Sequence, residues 1–389
     1  MPKYMKLMLR IPLSSASRNK HELDAAYEVG HKVSVYYTEP NLTVTDELAR
    51  YELHNYDPGI KVSRFRPLTQ LRIIGSWLRF ARVLRRERPD VISCHNIPNM
   101  TLAWFASRLV FPRPKLIYDA HEFNLEARGN ISAKERAKTE KWENFFLHRA
   151  AFSIMVNDSI ADEVQKHYGL SQRPVVVRST PPYWTLDEEK IREKRRMFCS
   201  ALGVSEDTFL IMFHGGITTL RGVENMIRAT GRDPAIACVL LGSCGEPYRR
   251  ELQQLAEECG AAGRVYFHPA VEVNELWQYA GAADVGCVMT ENTCRNHYLS
   301  SPNKFFENIQ SLTPVICPTF PEMERIVAKY GIGLCCPPGD LDAFCACITK
   351  MRTDRAFYRA CKEHLAAAKN DLCWENEKNV LLDAYRRYL

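Results

Sequence analysis

The loop His214–Gly222 combines two adjacent glycines with an arginine, residue types that are suited to holding an anion. The loop joins an apolar run to an amphipathic segment, so it is expected to connect a strand to a helix. Gly215 and Gly216 would let the backbone approach a phosphate closely, and Arg221 near the helix start adds a forked donor. The pattern therefore predicts a phosphate-binding turn.

A second candidate anion site begins at Ser301. Serine followed by Pro302 is a favoured pair at the N-cap and first position of a helix, whose free amides carry partial positive charge. Lys304 in the first turn opposes the helix dipole and therefore favours an anionic partner. Glu307, one turn later, offers a carboxylate that can accept hydrogen bonds from both hydroxyls of a ribose. The alternative is an ion pair between Glu307 and Lys304.

Polar residues follow two apolar runs in the first half of the chain. His121 and Glu122 come two and three residues after the predicted strand 115–119, and His95 and Asn96 end the predicted strand before it. Strand carboxyl ends carry the ligand sites of parallel sheets, so His121 is predicted to be catalytic; the alternative is a structural histidine. His95, Asn96 and Glu122 are predicted to line a ligand pocket at the same edge of the sheet.

No metal or other cofactor is expected. Asp340 and Asp342 form the only Asp-X-Asp pair, and they stand where an N-cap and a first-turn acid belong. The 14 cysteines include no CxxC pair and no zinc-ligand spacing. They are interpreted as reduced thiols of a cytosolic protein.

The elements that must position these residues alternate between a short apolar strand and an amphipathic helix, which is typical of parallel βαβ units. Two runs of such units, separated near residues 180–190, predict an α/β protein with two doubly wound, Rossmann-like domains at residues 1–183 and 184–370. Residues 371–389 are predicted to form a final helix. No strand is predicted between Tyr37 and Asp90.

Charge is divided unevenly along the chain. Residues 1–183 carry 28 Lys and Arg against 19 Asp and Glu, whereas the remainder carries 24 against 27. The helical segment Gln70–Arg88 is apolar on one side and basic on the other, which suits either packing on its sheet or contact with anionic lipid. No apolar run approaches the ~20 residues of a membrane span, and no nucleic-acid recognition pattern is present. A cytoplasmic protein is predicted, with peripheral contact at the inner membrane face left open.

Taken in order, these segments resemble family-4 glycosyltransferases of the GT-B fold, in the bacterial subset that has a Gly-Gly loop. The resemblance is carried by 90–96, 119–122, 156–161, 215–222, 302–307, 321–324 and 374–377. It implies two domains facing a central cleft, with the nucleotide sugar bound by the C-terminal domain and the acceptor by the N-terminal one. It also implies that the last helix crosses back onto the N-terminal domain.

The resemblance assigns roles by position. Arg221 matches the basic residue that contacts the donor diphosphate, Glu307 the glutamate that holds the ribose, and His121 the histidine that contacts the transferred sugar. Two positions depart from the family pattern, because Leu299 replaces the usual first glutamate and Gly216 replaces a common basic residue.

The missing basic residue and a third departure, in the loop after the first strand, each point to a further position. Lys304 is predicted to supply the charge missing from the Gly-Gly loop. The family's glycine-rich loop after the first strand is replaced by 12–18, which contains Arg18. The acceptor or sugar pocket is therefore predicted to be lined by Arg18, His95, Asn96 and Glu122.

The function implied is transfer of a sugar from a nucleotide diphosphate sugar to a glycan, lipid-linked or small-molecule acceptor, with retention of configuration and without a metal. Two alternatives remain open at this point. One is a nucleotide-sugar epimerase, which can share the fold, and the other is a non-catalytic partner subunit that has kept the fold.

Overall fold

The structure is a computed structural model that describes residues 1–9, 13, 17–40, 42–59, 66–120, 122–124 and 132–389. The chain divides into two compact units, Met1–Arg178 with Lys378–Leu389, and Ser179–Glu377. No helix among the described residues is both long and apolar enough to cross a membrane.

The first unit is a parallel sheet covered by helices. Its strands are β1 (Lys3–Met8), β2 (Lys32–Tyr37), β3 (Glu52–Asn55), β4 (Val91–Cys94), β5 (Lys115–Ala120), β6 (Phe152–Met155) and β7 (Val175–Val176). The helices are α1 (Ser17–Glu28), α2 (Arg66–Glu87), α3 (Ile97–Ser107), α4 (Ala133–Leu147) and α5 (Asp158–Tyr168). The described strands are ordered β3-β2-β1-β4-β5-β6-β7 across the sheet.

The second unit is built in the same way. Its strands are β8 (Phe209–His214), β9 (Ile236–Leu241), β10 (Val265–His268), β11 (Val285–Cys287), β12 (Val315–Pro318) and β13 (Gly333–Cys336). The helices from this point of the chain are α6 (Glu188–Leu202), α7 (Val223–Arg232), α8 (Glu246–Glu258), α9 (Leu276–Gly281), α10 (Arg295–Leu299), α11 (Asn303–Gln310), α12 (Pro321–Tyr330), α13 (Leu341–Thr353), α14 (Arg355–Asp371) and α15 (Trp374–Tyr388). The strand order is β10-β9-β8-β11-β12-β13.

The central strand β8 shows why these segments form parallel sheets. All six of its residues are buried. Phe209, Ile211 and Phe213 enter one hydrophobic cluster, and Leu210 and Met212 enter another on the opposite face. A strand covered on both faces needs a continuous apolar run, which is what the sequence provides.

The predicted α/β class with two doubly wound units is confirmed, and one strand was missed. Strand β3 pairs in parallel with β2 at the edge of the first sheet. Its sequence, Glu52-Leu53-His54-Asn55, lacks the apolar run that marked the other strands, because an edge strand is only partly covered.

Each sheet has a point where the strand order reverses. In the second unit β9 and β10 lie on one side of β8, whereas β11, β12 and β13 lie on the other. The equivalent point in the first unit is between β1 and β4. Ligands of doubly wound sheets bind in the crevice outside the strand carboxyl ends at such a point. The residues that follow β8 and β4 are therefore the first to consider for a site.

Candidate active site

The loop after β8 is held close to the sheet by glycine. Gly215 has a φ of +110°, a conformation that L side chains rarely adopt, and its amide donates to the Leu241 carbonyl over 2.9 Å. A Cβ added to Gly242 would lie 1.9 Å from the Gly215 oxygen, so the two backbones pack directly against each other. At Gly216 an added Cβ would meet nothing within 4 Å. The loop is thus fixed from behind while its Gly216 side faces open space.

The helix expected at Ser301 is present but begins one position later. Pro302 is the N-cap, with a ψ of 152°, and α11 starts at Asn303. No side chain caps the helix, so its first amides are free of the serine bond that was predicted. Ser301 is buried immediately before this end. The free amides and the helix dipole favour an anion at this position.

The Lys304 side chain extends from the start of α11 to the loop that follows β8. Its Nζ lies 3.7 Å from the centroid of the Phe213 ring and 3.5 Å from where a Cβ on Gly215 would be. Burial, and then the positive charge of Arg221, lower the pKa of Lys304 to about 7, with Glu307 acting in the opposite direction. Among the described residues neither Lys304 nor Arg221 has a carboxylate within ion-pair distance. Two cations therefore share a site in which no carboxylate of the described residues lies within ion-pair distance of either one.

Glu307 does not pair with Lys304, so the alternative role considered from sequence is wrong. Its Oε2 lies 2.9 Å from Nε2 of His214, the last residue of β8. Because a carboxylate only accepts, Nε2 must carry the proton, and the buried Nδ1 then has no hydrogen-bond partner among the described residues. The pairing fixes one oxygen of Glu307 and leaves the other for a ligand.

His214 is the residue that sequence reasoning missed. It was noted only as the start of the loop, because its link to Glu307 joins residues 93 positions apart. The available signal was its place at the carboxyl end of a central strand beside the Gly-Gly turn. That position brings a side chain to the crevice in this type of sheet.

Three other positions of the second unit have structural roles. Leu299 is buried at the end of α10, so this position offers no carboxylate to a ligand. Asp340 accepts the amide of Ala343 over 2.9 Å as the N-cap of α13, and Asp342 pairs with Arg232. No group of three or more His, Cys, Asp or Glu in the described parts of the chain could hold a metal ion.

Arg18 lies in a buried network of charges in the first unit. Its Nη2 is 2.9 Å from Asp119 Oδ1, and its Nη1 donates to the Val177 carbonyl. Lys6 Nζ contacts both Glu22, at 2.5 Å, and Asp119, at 3.6 Å. Burial and then the nearby Asp119 raise the pKa of Glu22 above its ordinary range. The bonds of Arg18 connect α1 to β5, and its predicted acceptor contact stays a prediction.

The remaining residues of the first unit follow the ends of β4 and β5. His95 is buried, and its Nε2 lies 3.1 Å from the Asn96 amide nitrogen, while Asn96 Oδ1 caps α3 by accepting the Asn99 amide. Glu122 is exposed. The predicted catalytic residue His121 lies outside the described residues. Cys94 pairs in register with Tyr118, so His95 and the segment that leads to residue 121 leave the same edge of the sheet.

Comparison with known proteins adds family evidence to this geometry. Residues 22–180 match the family model described as Glycosyltransferase Family 4, and residues 197–367 match the model described as Glycosyl transferases group 1. An uncharacterized glycosyltransferase of Methanocaldococcus jannaschii is 22% identical over 373 residues, which cover 92% of this chain and 90% of that protein. A D-inositol 3-phosphate glycosyltransferase of Geodermatophilus obscurus is 32% identical over 237 residues, 54% of this chain and 50% of that protein.

Solved structures share the fold across the whole chain. HepE of Anabaena, in complex with UDP, has a TM-score of 0.77 and 13% identity, covering 99% of this chain and 100% of that chain. The same protein was also solved with UDP-glucose, with a TM-score of 0.72. The fold common to these molecules is GT-B, as the resemblance implied. Since two family models together match both halves of the chain, the protein belongs to the family-4 glycosyltransferases of the GT-B fold.

Proposed function

We propose that this glycosyltransferase takes its sugar from a nucleoside diphosphate sugar bound by the second unit. The observation that carries the proposal is the pair Lys304 and Arg221, two neighbouring cations without a carboxylate partner in the described chain. A diphosphate supplies the negative charge that this arrangement lacks, and the free end of α11 adds amide donors. The binding of UDP and UDP-glucose by HepE, which has the same fold, supports this class of donor.

The rest of the donor would be held by neighbouring groups. Gly215 and Gly216 let the phosphates approach the loop backbone, and Ser301 lies at the start of the adjacent helix. Glu307, held by His214 through one oxygen, would accept the ribose hydroxyls with the other. Groups arranged in this way would need little reorganisation when charge develops on the leaving diphosphate.

The reaction would proceed with retention and without a metal. As the bond from the anomeric carbon to the diphosphate oxygen breaks, the acceptor oxygen bonds to the same face, and its proton passes to the departing phosphate. Arg221 and Lys304 would stabilise the charge that develops on that phosphate. By the family resemblance, His121 would contact the transferred sugar, and Arg18, His95, Asn96 and Glu122 are the proposed acceptor contacts of the first unit.

Calorimetric titration with a panel of nucleoside diphosphates tests the donor site. Arg221→Ala removes a charged hydrogen bond worth ~1.5–3 kcal/mol, so affinity should fall about tenfold or more. Arg228→Ala is the matched control, because Arg228 is exposed on α7 and Asn225 is its one side-chain hydrogen-bond partner among the described residues. Nucleosides without phosphate should bind wild type and variant equally. If Arg221→Ala leaves diphosphate affinity unchanged, the site is wrong.

Product analysis separates the remaining alternatives. Transfer with retention gives a glycoside whose anomeric configuration, read from proton coupling constants, equals that of the donor. An epimerase would convert the nucleotide sugar with no acceptor present. A non-catalytic subunit would bind neither nucleoside diphosphate nor nucleotide sugar, or would bind them without turnover in the presence of acceptors.

A further inference from the structure

Helix α2 carries two apolar faces, and one of them stays exposed in the part of the first unit that the structure describes. Phe80, Ala81 and Leu84 are buried against the unit. On the other side, four aliphatic side chains remain between 38% and 65% exposed: Leu68, Leu71, Ile74 and Leu78. Their spacing of three or four residues places them in one stripe along the helix. A contiguous stripe of this kind, unlike single exposed apolar residues, marks an interaction surface.

The stripe leads to a second exposed apolar group. Phe111, in the loop after α3, is 95% exposed, and Leu109 beside it is also exposed. Arg85 Nη2 donates to the Leu109 carbonyl over 2.9 Å, so this loop lies against the C-terminal end of α2. Arg85 follows Leu78 by seven residues and therefore lies on the same side of the helix as the stripe. The Phe111 loop thus lies at the C-terminal end of α2, on the side of the helix that carries the stripe.

Positive charge surrounds these apolar groups. The α2 segment contains six arginines and one acid, Glu87, which pairs with Arg86 at 2.7 Å. Arg82 follows Leu78 by one turn, and Arg108 and Arg113 flank the Phe111 loop. Among the described residues no carboxylate lies within ion-pair distance of Arg82, Arg108 or Arg113. The charges are therefore available to a partner.

A depression beside the Phe111 loop concentrates this charge. It has a volume of about 390 Å³, and Arg108, Arg113 and Arg149 are among its lining residues. The Arg108 guanidinium lies 3.9 Å from the centroid of the Trp104 ring, and that of Arg149 lies 4.0 Å from the Phe145 ring. Arginines lying on half-buried aromatic rings suit the boundary between an apolar phase and water, where Trp is also enriched.

We propose that this surface docks the protein on an anionic lipid bilayer. The docking face is defined as Leu68, Leu71, Ile74, Leu78, Arg82, Arg108, Phe111 and Arg113. Helix α2 would lie in the plane of the interface with its aliphatic stripe and Phe111 below the phosphates, while the arginines extend back to the headgroups. The depression would receive a headgroup phosphate. The inference does not depend on the proposed donor chemistry.

The combination of positive charge and exposed apolar side chains favours an anionic bilayer over a second copy of the chain or a nucleic acid. A second copy of the chain, docked symmetrically, would bring arginines against arginines, which costs free energy. Nucleic acid would satisfy the arginines but leave the aliphatic stripe in water, since its bases are bound mainly by aromatic stacking. An anionic bilayer meets both demands.

Vesicle co-sedimentation of the full chain tests the proposal. Phosphatidylcholine vesicles that contain phosphatidylglycerol should bind the protein, with affinity falling as salt rises, and phosphatidylcholine vesicles should not. Phe111→Ser should weaken binding about tenfold or more, as should Leu71→Ser combined with Leu78→Ser. Arg82→Gln with Arg113→Gln should weaken it about fivefold for each arginine.

Matched substitutions in the second unit serve as controls. Val273→Ser removes an exposed aliphatic side chain, and Arg359→Gln removes an exposed arginine, so both should bind like wild type. Circular dichroism and melting temperature establish that each variant is folded.

Three results would overturn the proposal. These are equal binding to both kinds of vesicle, binding that survives substitution of the docking face, and no binding at all. A dimer in sedimentation velocity that dissociates when Leu71 and Leu78 are replaced would assign the face to a second copy instead.

Discussion

The substitution Lys304→Met separates two effects of the Lys304 ammonium. One is the stability that its burial costs the folded protein, and the other is the affinity that it would add for a nucleoside diphosphate. Burial and Arg221 lower the pKa of Lys304 to about 7, which means that the folded protein holds this ammonium against an opposing environment. Methionine keeps a long unbranched side chain, and its sulfur can keep a favourable contact with the Phe213 ring that Nζ now approaches to 3.7 Å. The substitution therefore removes the charge and little of the packing.

The stability of the variant should differ from wild type in a pH-dependent way. Between about pH 7 and pH 10.5 the unfolded chain binds a proton at Lys304 that the folded chain does not, so wild-type stability rises with pH across this window. Below pH 7 the penalty is complete, with an upper bound of ~5 kcal/mol from the pKa difference. Water reaches the partly buried amine, so we expect ~1–2 kcal/mol. The variant should melt about 2–8 °C above wild type at pH 6, with the gap closing toward pH 10.

Nucleotide affinity should change in the opposite direction. A bound diphosphate raises the pKa of Lys304, so binding above pH 7 takes up a proton, and wild-type affinity should fall by up to about tenfold per pH unit between pH 7 and 9. Lys304→Met should bind about tenfold or more weakly at pH 7 and lose this pH dependence. Calorimetry and thermal unfolding measure the two effects, with Lys190→Met, an exposed lysine on α6, as the control. Equal pH profiles in Lys304→Met and wild type would refute the reasoning.

Three other outcomes are expected. Gly216→Ala should have the melting temperature of wild type, because an added Cβ meets nothing within 4 Å, but it should weaken diphosphate binding by filling the proposed ligand space. Gly263→Ala, where an added Cβ also meets nothing, should change neither the melting temperature nor the affinity. Glu307→Gln should weaken binding of ribonucleotides more than that of their 2′-deoxy counterparts, and equal losses would argue against a ribose contact. EDTA should leave the transfer rate unchanged, whereas a loss restored by manganese or magnesium would contradict the proposed role of Arg221 and Lys304 as the charges on the leaving phosphate.

The fold could be predicted from the sequence to the extent that burial controls residue choice. The apolar runs at Lys32–Tyr37 and Phe209–His214 mark β2 and β8 in the sequence, because a strand buried on both faces requires such a run. The edge strand β3 has no such requirement, so its pattern carried no signal. The start of α11 was displaced by one residue, because Pro302 adopts an extended ψ and takes the cap position from Ser301.

The site was predicted less completely, because sequence spacing reports neighbours on one helix and not contacts between elements. The spacing of Lys304 and Glu307 on one helix face suggested an ion pair, yet Glu307 turns to His214 on the central strand. That choice has an electrostatic consequence. While His214 holds Glu307, the carboxylate is outside ion-pair distance of Lys304, and its effect on the pKa of Lys304 is smaller than the opposite effect of Arg221. A site that neutralised Lys304 internally would have to break that pair before an anion could bind. By pairing the glutamate with His214 on the central strand, the fold keeps both cations available and places a hydrogen-bond acceptor next to them, as a nucleoside diphosphate, with its charged phosphates and neutral ribose, would require.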